Sequence, residues 1–201
     1  MKEGGLVRAF VAIPSDPMWV ESTRGVLERL RNSLPEASWT RPESWHLTLR
    51  FLGEVPREAL LRFSSAVEPF AAKTVPGEIR TEGAVVFPPR GAARVLGVGF
   101  ARSEILDGIS RLAESAEREA RLIGAEDTRR PFHPHVTLGR IRRPWPPEAV
   151  ESFRREVDSW IFPVWQARAC VLFESLLSTE GAVHKPLFEW SLAGGDRGVR
   201  A

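Results

Sequence analysis

The chain has 201 residues, 43% of them hydrophobic and 27% charged, with a formal net charge of +2. That length and apolar content support a sizeable core in one large domain or two small lobes, and the single cysteine, Cys170, excludes an internal disulfide and a cysteine-based zinc site, which suits a reducing cytoplasm. The first apolar run, residues 6–13, is interrupted by Arg8 and stopped by Pro14, too short and broken for a signal peptide or a membrane span, so no targeting segment is expected.

That run, Leu6 to Ile13, is rich in β formers and reads as a strand buried on both faces. Trp19 to Leu34 reads as a helix, with apolar residues at Val20, Val26, Leu27 and Leu30 and Pro35 closing it. Trp45 to Gly53 alternates like a strand, and a second helix is predicted from Arg57 to Phe70 after Pro56. Ala84–Phe87 and Val95–Phe100 form an antiparallel pair around the turn residues Pro88-Pro89-Arg90-Gly91. Ser103 to Ile123 is the clearest helix, with Ser103 as N-cap, a stripe of Ile105, Ile109, Leu112, Ala116 and Ala120, and Gly124 as its stop. His135 to Ile141 returns to strand, Pro147 to Trp160 to helix, and Trp165–Leu177 with His184–Leu192 form a last strand pair. No low-complexity tract or linker divides the chain, so the expectation is one two-lobed domain over residues 1–201 of the α+β class.

A short echo links the two halves. His46-Leu47-Thr48-Leu49 and His135-Val136-Thr137-Leu138 repeat one pattern, each in a strand, and hold two of the four histidines. Residues two apart on a strand share a face, so each copy presents one imidazole and one hydroxyl together while its aliphatic residues face a core. Two imidazoles converging on one cleft supply what is needed to displace an alkoxide from phosphorus: one takes a proton from water and the other gives one to the leaving oxygen. Threonine hydroxyls can hold the non-bridging phosphate oxygens in line, and this chemistry requires no metal.

With these surroundings the chain resembles the RNA 2',3'-cyclic phosphodiesterases, also called 2'-5' RNA ligases, of the two-histidine phosphoesterase superfamily. The matching pieces are residues 8–14, Trp45 to Val55, Phe87 to Gly91 with Arg94 to Leu96, Phe132 to Arg140, and Glu174 to Leu177 with Gly181. The resemblance implies a bilobed α+β fold, two antiparallel sheets with flanking helices related by a pseudo-twofold axis and the active site in the central cleft. It implies His46 and His135 as the catalytic pair, with His46 protonating the leaving 3' oxygen and His135 activating water to leave a 2'-phosphate. Thr48 and Thr137 match the phosphate-binding threonines, Arg140 a phosphate-contacting arginine, and Phe10 an aromatic that stacks on the nucleobase. The expected substrates are RNA ends or nucleoside 2',3'-cyclic phosphates, with no cofactor, a cytoplasmic monomer and no membrane partner. Two departures stand out: the chain has no tyrosine, and His184 sits where relatives often carry an aromatic.

Other signals compete. His133-Pro134-His135 also reads as a two-histidine chelate, although no carboxylate or cysteine stands nearby in a ligand pattern. Arg41, Arg50, Arg129, Arg130, Arg140, Arg142 and Arg143 make either a basic funnel for RNA or a solvated face paired with Glu126 and Asp127. Of the seven tryptophans, Trp45 is the first choice as a base-stacking platform. Rival activities are another cyclic phosphate or a 2'-5' oligoadenylate as substrate; the rival of another class is a non-catalytic RNA-end binding module. No nucleotide-activation motif is present, which favours hydrolysis over ligation.

Overall fold

A strand, β1 (Leu6–Pro14), and a helix, α1 (Pro17–Ser33), open the computed structural model, which describes residues 5–127, 131–178 and 181–194. The short β2 (Ser38–Trp39), β3 (His46–Pro56) and α2 (Arg57–Lys73) come next. A hairpin of β4 (Gly77–Phe87) and β5 (Val95–Phe100) leads to α3 (Glu104–Leu122), β6 (His135–Arg140) and α4 (Pro147–Asp158). β7 (Val164–Ala167), β8 (Ala169–Ser178) and β9 (Gly181–Ser191) complete the fold. It is α+β, with every strand pair antiparallel.

Capping chemistry sets the helix ends. Asp16 accepts the backbone N–H groups of Met18 at 2.8 Å and Trp19 at 3.4 Å, so α1 begins two residues before the apolar pattern does. Ser103 accepts from the Leu106 N–H at 3.1 Å, and Gly124, at φ +80°, stops α3 where the sequence places its end.

The hydrogen-bonded path runs β7-β4-β5-β6-β3-β1-β8-β9, with β2 paired to β6. Counted outward from the centre, each half contributes four strands. The expected two sheets are therefore joined edge to edge, and the seam is narrow: β3 and β6 share the single register pair Leu47↔Val136, while β2 pairs beside β6 at Ser38↔Arg140 and Trp39↔Gly139. The sequence expectation of one strand from Trp165 to Leu177 needs correction. Arg168 splits it into β7, which pairs with β4 at one end of the path, and β8, which pairs with β1 near the other. One residue spans only about 3.5 Å, so those distant strands meet and the sheet must curl round on itself.

Fully buried Leu47 and Val136 belong to one continuous core with Phe63 of α2 and Ile109 and Leu112 of α3. Trp19, Trp45 and Trp165 cluster in the same core, Trp19 edge-on to Trp45 at 5.5 Å and tilted against Trp165 at 5.1 Å. Trp45 is 2% exposed, so the tryptophan singled out from sequence for base stacking instead anchors the start of β3.

The strands that carry the site are packed to their limit. A Cβ at Gly97 of β5 would lie 2.5 Å from the Val136 carbonyl oxygen in β6, a backbone contact that cannot yield without moving the strand. Gly97→Ala is expected to cost about 1–3 kcal/mol in urea unfolding and to lower activity by displacing His135 and Thr137. Unchanged stability would show that β5 and β6 are not clamped there.

Candidate active site

The seam between the halves brings the two echoes together. In an antiparallel pair centred on Leu47↔Val136, counting one residue out sets His46 against Thr137 and Thr48 against His135. All four lie on the face opposite Leu47 and Val136, half-buried, while those two aliphatic residues are fully buried. Each imidazole thus has the other motif's threonine as its cross-strand neighbour. No single half could assemble this group.

Both rings are oriented in the same way. The Nδ1 of His46 lies 2.7 Å from the Ser44 carbonyl oxygen, and that of His135 lies 2.7 Å from the His133 carbonyl oxygen. A carbonyl only accepts, so Nδ1 carries the proton and donates, leaving each Nε2 as the free nitrogen. The sequence holds a signal for this that is easy to miss, because each carbonyl belongs to the residue two before the histidine.

The cleft disfavours protonated imidazole. Burial pushes His46 down to about 4, assisted by the nearby His184, His135 and Arg140 and opposed by the Ser44 hydrogen bond. Burial also lowers His135, opposed by its hydrogen bond to the His133 carbonyl and assisted by the charges of Arg140 and His133, and burial lowers His184. Both motif histidines are accordingly held toward the neutral form in the free protein.

His46, Thr48, Thr137, Arg140 and Phe10 all line one cavity of about 280 Å³. His135 is not in that lining; its ring lies 4.9 Å from Phe87 at the neighbouring edge. Phe10 is only 2% exposed and packs against His46 at 4.8 Å, Phe173 at 5.3 Å and His184 at 4.8 Å. It forms the cavity floor and braces His46, which leaves little of its ring for a base. The exposed aromatic in the lining is Phe51, and Trp39, partly buried, lines it as well. Trp39 lies over Gly139, where a Cβ would come within 2.8 Å of its ring.

Arg50 departs from the sequence expectation. Simple alternation would put it on the face of His46 and Thr48, but β1 pairs Val11 with Arg50 and Ala12 with Thr48, leaving Leu49 as an extra residue in β3. That bulge turns Arg50 inward, 4% exposed, onto Glu117 of α3 at 2.5 Å and the carbonyls of Phe51 and Glu126. Arg50 therefore belongs to the core rather than to a funnel. Arg41 and Arg140 line the cavity, Arg142 and Arg143 are exposed outside its lining, and Arg129 and Arg130 fall outside the described residues. His133 is exposed and uses its carbonyl on His135; among the described residues no group of three or more His, Cys, Asp or Glu is placed to hold a metal ion. Sequence reasoning missed Arg8, Trp39, Phe51 and Ser175, whose place in the lining depends on strand pairing rather than on any motif.

The profile of the LigT-like phosphoesterases matches residues 18–96 and 100–184, which span both echoes. The chain belongs to this family. Among its relatives, the RNA 2',3'-cyclic phosphodiesterase of Archaeoglobus fulgidus is 30% identical over 181 residues, covering 90% of this chain and 98% of that one. The protein of the same name from Thermus thermophilus is 34% identical over 159 residues, 76% of this chain and 74% of its own. In three dimensions this LigT-like phosphoesterase superposes on TT0787 of Thermus thermophilus with a TM-score of 0.74 at 26% identity, covering 94% of this chain and all of that one. It shares its fold with E. coli LigT, solved with 3'-AMP, at a TM-score of 0.73 and 22% identity over 94% of this chain and 99% of that one.

Proposed function

We propose that this LigT-like phosphoesterase opens the 2',3'-cyclic phosphate at RNA ends to a 2'-phosphomonoester, without a metal, using His46 and His135 as its acid-base pair. The observation that carries this reading is the facing of two imidazoles and two threonines across one seam, each imidazole with Nδ1 committed to a carbonyl and Nε2 free. The relatives named RNA 2',3'-cyclic phosphodiesterase support the substrate class.

In the proposed step, His135 Nε2 takes a proton from water as its oxygen bonds to phosphorus, and the bond from phosphorus to the 3' oxygen breaks as His46 gives that oxygen a proton. Thr48, Thr137 and Arg140 hold the non-bridging oxygens and balance their charge. A 5'-hydroxyl in place of water would form a 2'-5' linkage through the same transfers. Burial holds His46 toward its neutral form in the free protein, so an acid role requires it to gain its proton together with the phosphate, whose negative charge raises the imidazole pKa. An N–H on Nε2 then faces the leaving oxygen.

The sign of the pH dependence follows. Both histidines of the free enzyme are lowered from 6.5, and kcat/KM reports the free enzyme, so its bell is expected to peak on the acid side of pH 6.5. The kcat profile reports the complex and should lie at higher pH. A kcat/KM profile flat from pH 4 to 9 would remove the acid-base pair. The reaction itself is tested by incubating the protein with an RNA oligonucleotide ending in 2',3'-cyclic phosphate, with EDTA present, and separating the products. The expected product is the 2'-phosphate; a 3'-phosphate would exchange the roles of the histidines, and untouched RNA would leave a binding module.

A further inference from the structure

The proposed step leaves part of the cavity wall without a task. Ala9 of β1 pairs with Glu174 of β8, so one residue further out Arg8 stands across from Ser175, and Ser175 pairs with His184 of β9. Arg8, Ser175 and His184 therefore form a row across three adjacent strands, and residues opposite one another in such a ladder share a face. All three line the cavity. The row starts beside the reacting centre, since the His184 ring lies 5.1 Å from that of His46, nearly perpendicular to it. It ends on Arg8, an exposed guanidinium that makes no ion pair among the described residues; Glu54, across from it on β3, is exposed and does not bridge to it.

The chemistry of the row is uniform. Arg8 offers a fixed charge with forked donors, Ser175 a hydroxyl and His184 a ring N–H, a set suited to an anion with several acceptor oxygens. Every atom that the hydrolytic step needs is already supplied by other residues. A 2',3'-cyclic phosphate carries a neighbouring phosphate only on the far side of its own ribose, at the 5' oxygen.

We propose that Arg8, Ser175 and His184 form a second phosphate subsite, which receives the 5' phosphate of the terminal nucleotide while the cyclic phosphate lies between His46 and His135. This rests on the function proposed above and adds a substrate preference: an end carrying two phosphates one ribose apart is favoured over a nucleoside 2',3'-cyclic phosphate. The 5' phosphate is either the internucleotide phosphodiester of an RNA chain or the terminal group of a mononucleotide.

Three substrates with one base test it: the nucleoside 2',3'-cyclic phosphate, its 5'-phosphorylated form, and a dinucleotide ending in the same cyclic phosphate. In the wild type the second phosphate should raise kcat/KM roughly tenfold or more, as a charge-assisted contact does. In Arg8→Gln the ratio should fall toward one, and His184→Phe, which keeps a ring against His46 and Phe10, should lower it in part. Ratios within one variant cancel any loss of folded protein. A gain with both phosphorylated substrates assigns the row to any phosphate at that position, and a gain confined to the dinucleotide and lost in Arg8→Gln assigns it to the phosphodiester. No gain in the wild type, or a gain that Arg8→Gln leaves intact, overturns the subsite while leaving the hydrolase. Absence of turnover on all three substrates removes the proposed function, and the subsite with it.

Discussion

Alanine in place of His46 or His135 should lower kcat by a factor of ~10² to 10⁴, about 3 to 5 kcal/mol of barrier for each proton transfer removed. The geometry makes this more than a generic expectation. Each ring is fixed by a 2.7 Å hydrogen bond from Nδ1 at the seam, whereas His184, 5.1 Å from His46, stands on β9 rather than on either motif strand. The two roles belong to one step, and the double variant should therefore lose little more than the worse single one. Steady-state kinetics on an RNA 2',3'-cyclic phosphate end, with thermal melts showing that His135→Ala remains folded, is the measurement. Losses below tenfold in both single variants would sink the mechanism.

Arg50→Ala should destabilise the fold by about 3–5 kcal/mol, the range for removing one partner of a buried ion pair. The Arg50 guanidinium spans three elements: it pairs with Glu117 of α3 at 2.5 Å, donates to the Phe51 carbonyl of β3, and donates to the Glu126 carbonyl in the segment that leads toward β6. Alanine leaves two carbonyls without a donor and leaves the Glu117 carboxylate, itself mostly buried, to the exposed Arg121 that binds it at 2.9 Å. Replacing both partners, as in Arg50→Met with Glu117→Leu, should recover much of the loss because the buried pair is then replaced as a unit by apolar side chains. Urea unfolding of the three variants separates these outcomes. A loss under 1 kcal/mol in Arg50→Ala would show that the pair is not buried in solution.

What could be read from sequence follows the range of the interaction. Helix ends are local, which is why Ser103 and Gly124 bracket α3 where the chain's own residues place its cap and its stop. The alternation of His46, Leu47 and Thr48 is local too, and it separates cleft from core correctly. It fails at Arg50, because the bulge at Leu49 is set by pairing with β1, a partner far away in the chain. The break at Arg168 escaped the sequence for the same reason: an unbroken apolar alternation carries no sign that its two parts serve different neighbours. Trp45 lost its expected role because burial of a large ring depends on what packs over it, here Trp19, while Trp39 lies over Gly139 in the cavity wall.

By itself the sequence determined the α+β class, the family, and the pair of motifs whose spacing on a strand puts an imidazole and a hydroxyl on one face. Only the tertiary structure decided that the motifs meet at a single register pair with each histidine opposite the other's threonine, that Arg50 turns into the core, and that Arg8, Ser175 and His184 form one row. Side-chain periodicity is a property of one strand and is written in a few consecutive residues, whereas register between strands is fixed by packing and hydrogen bonding between segments far apart in the chain.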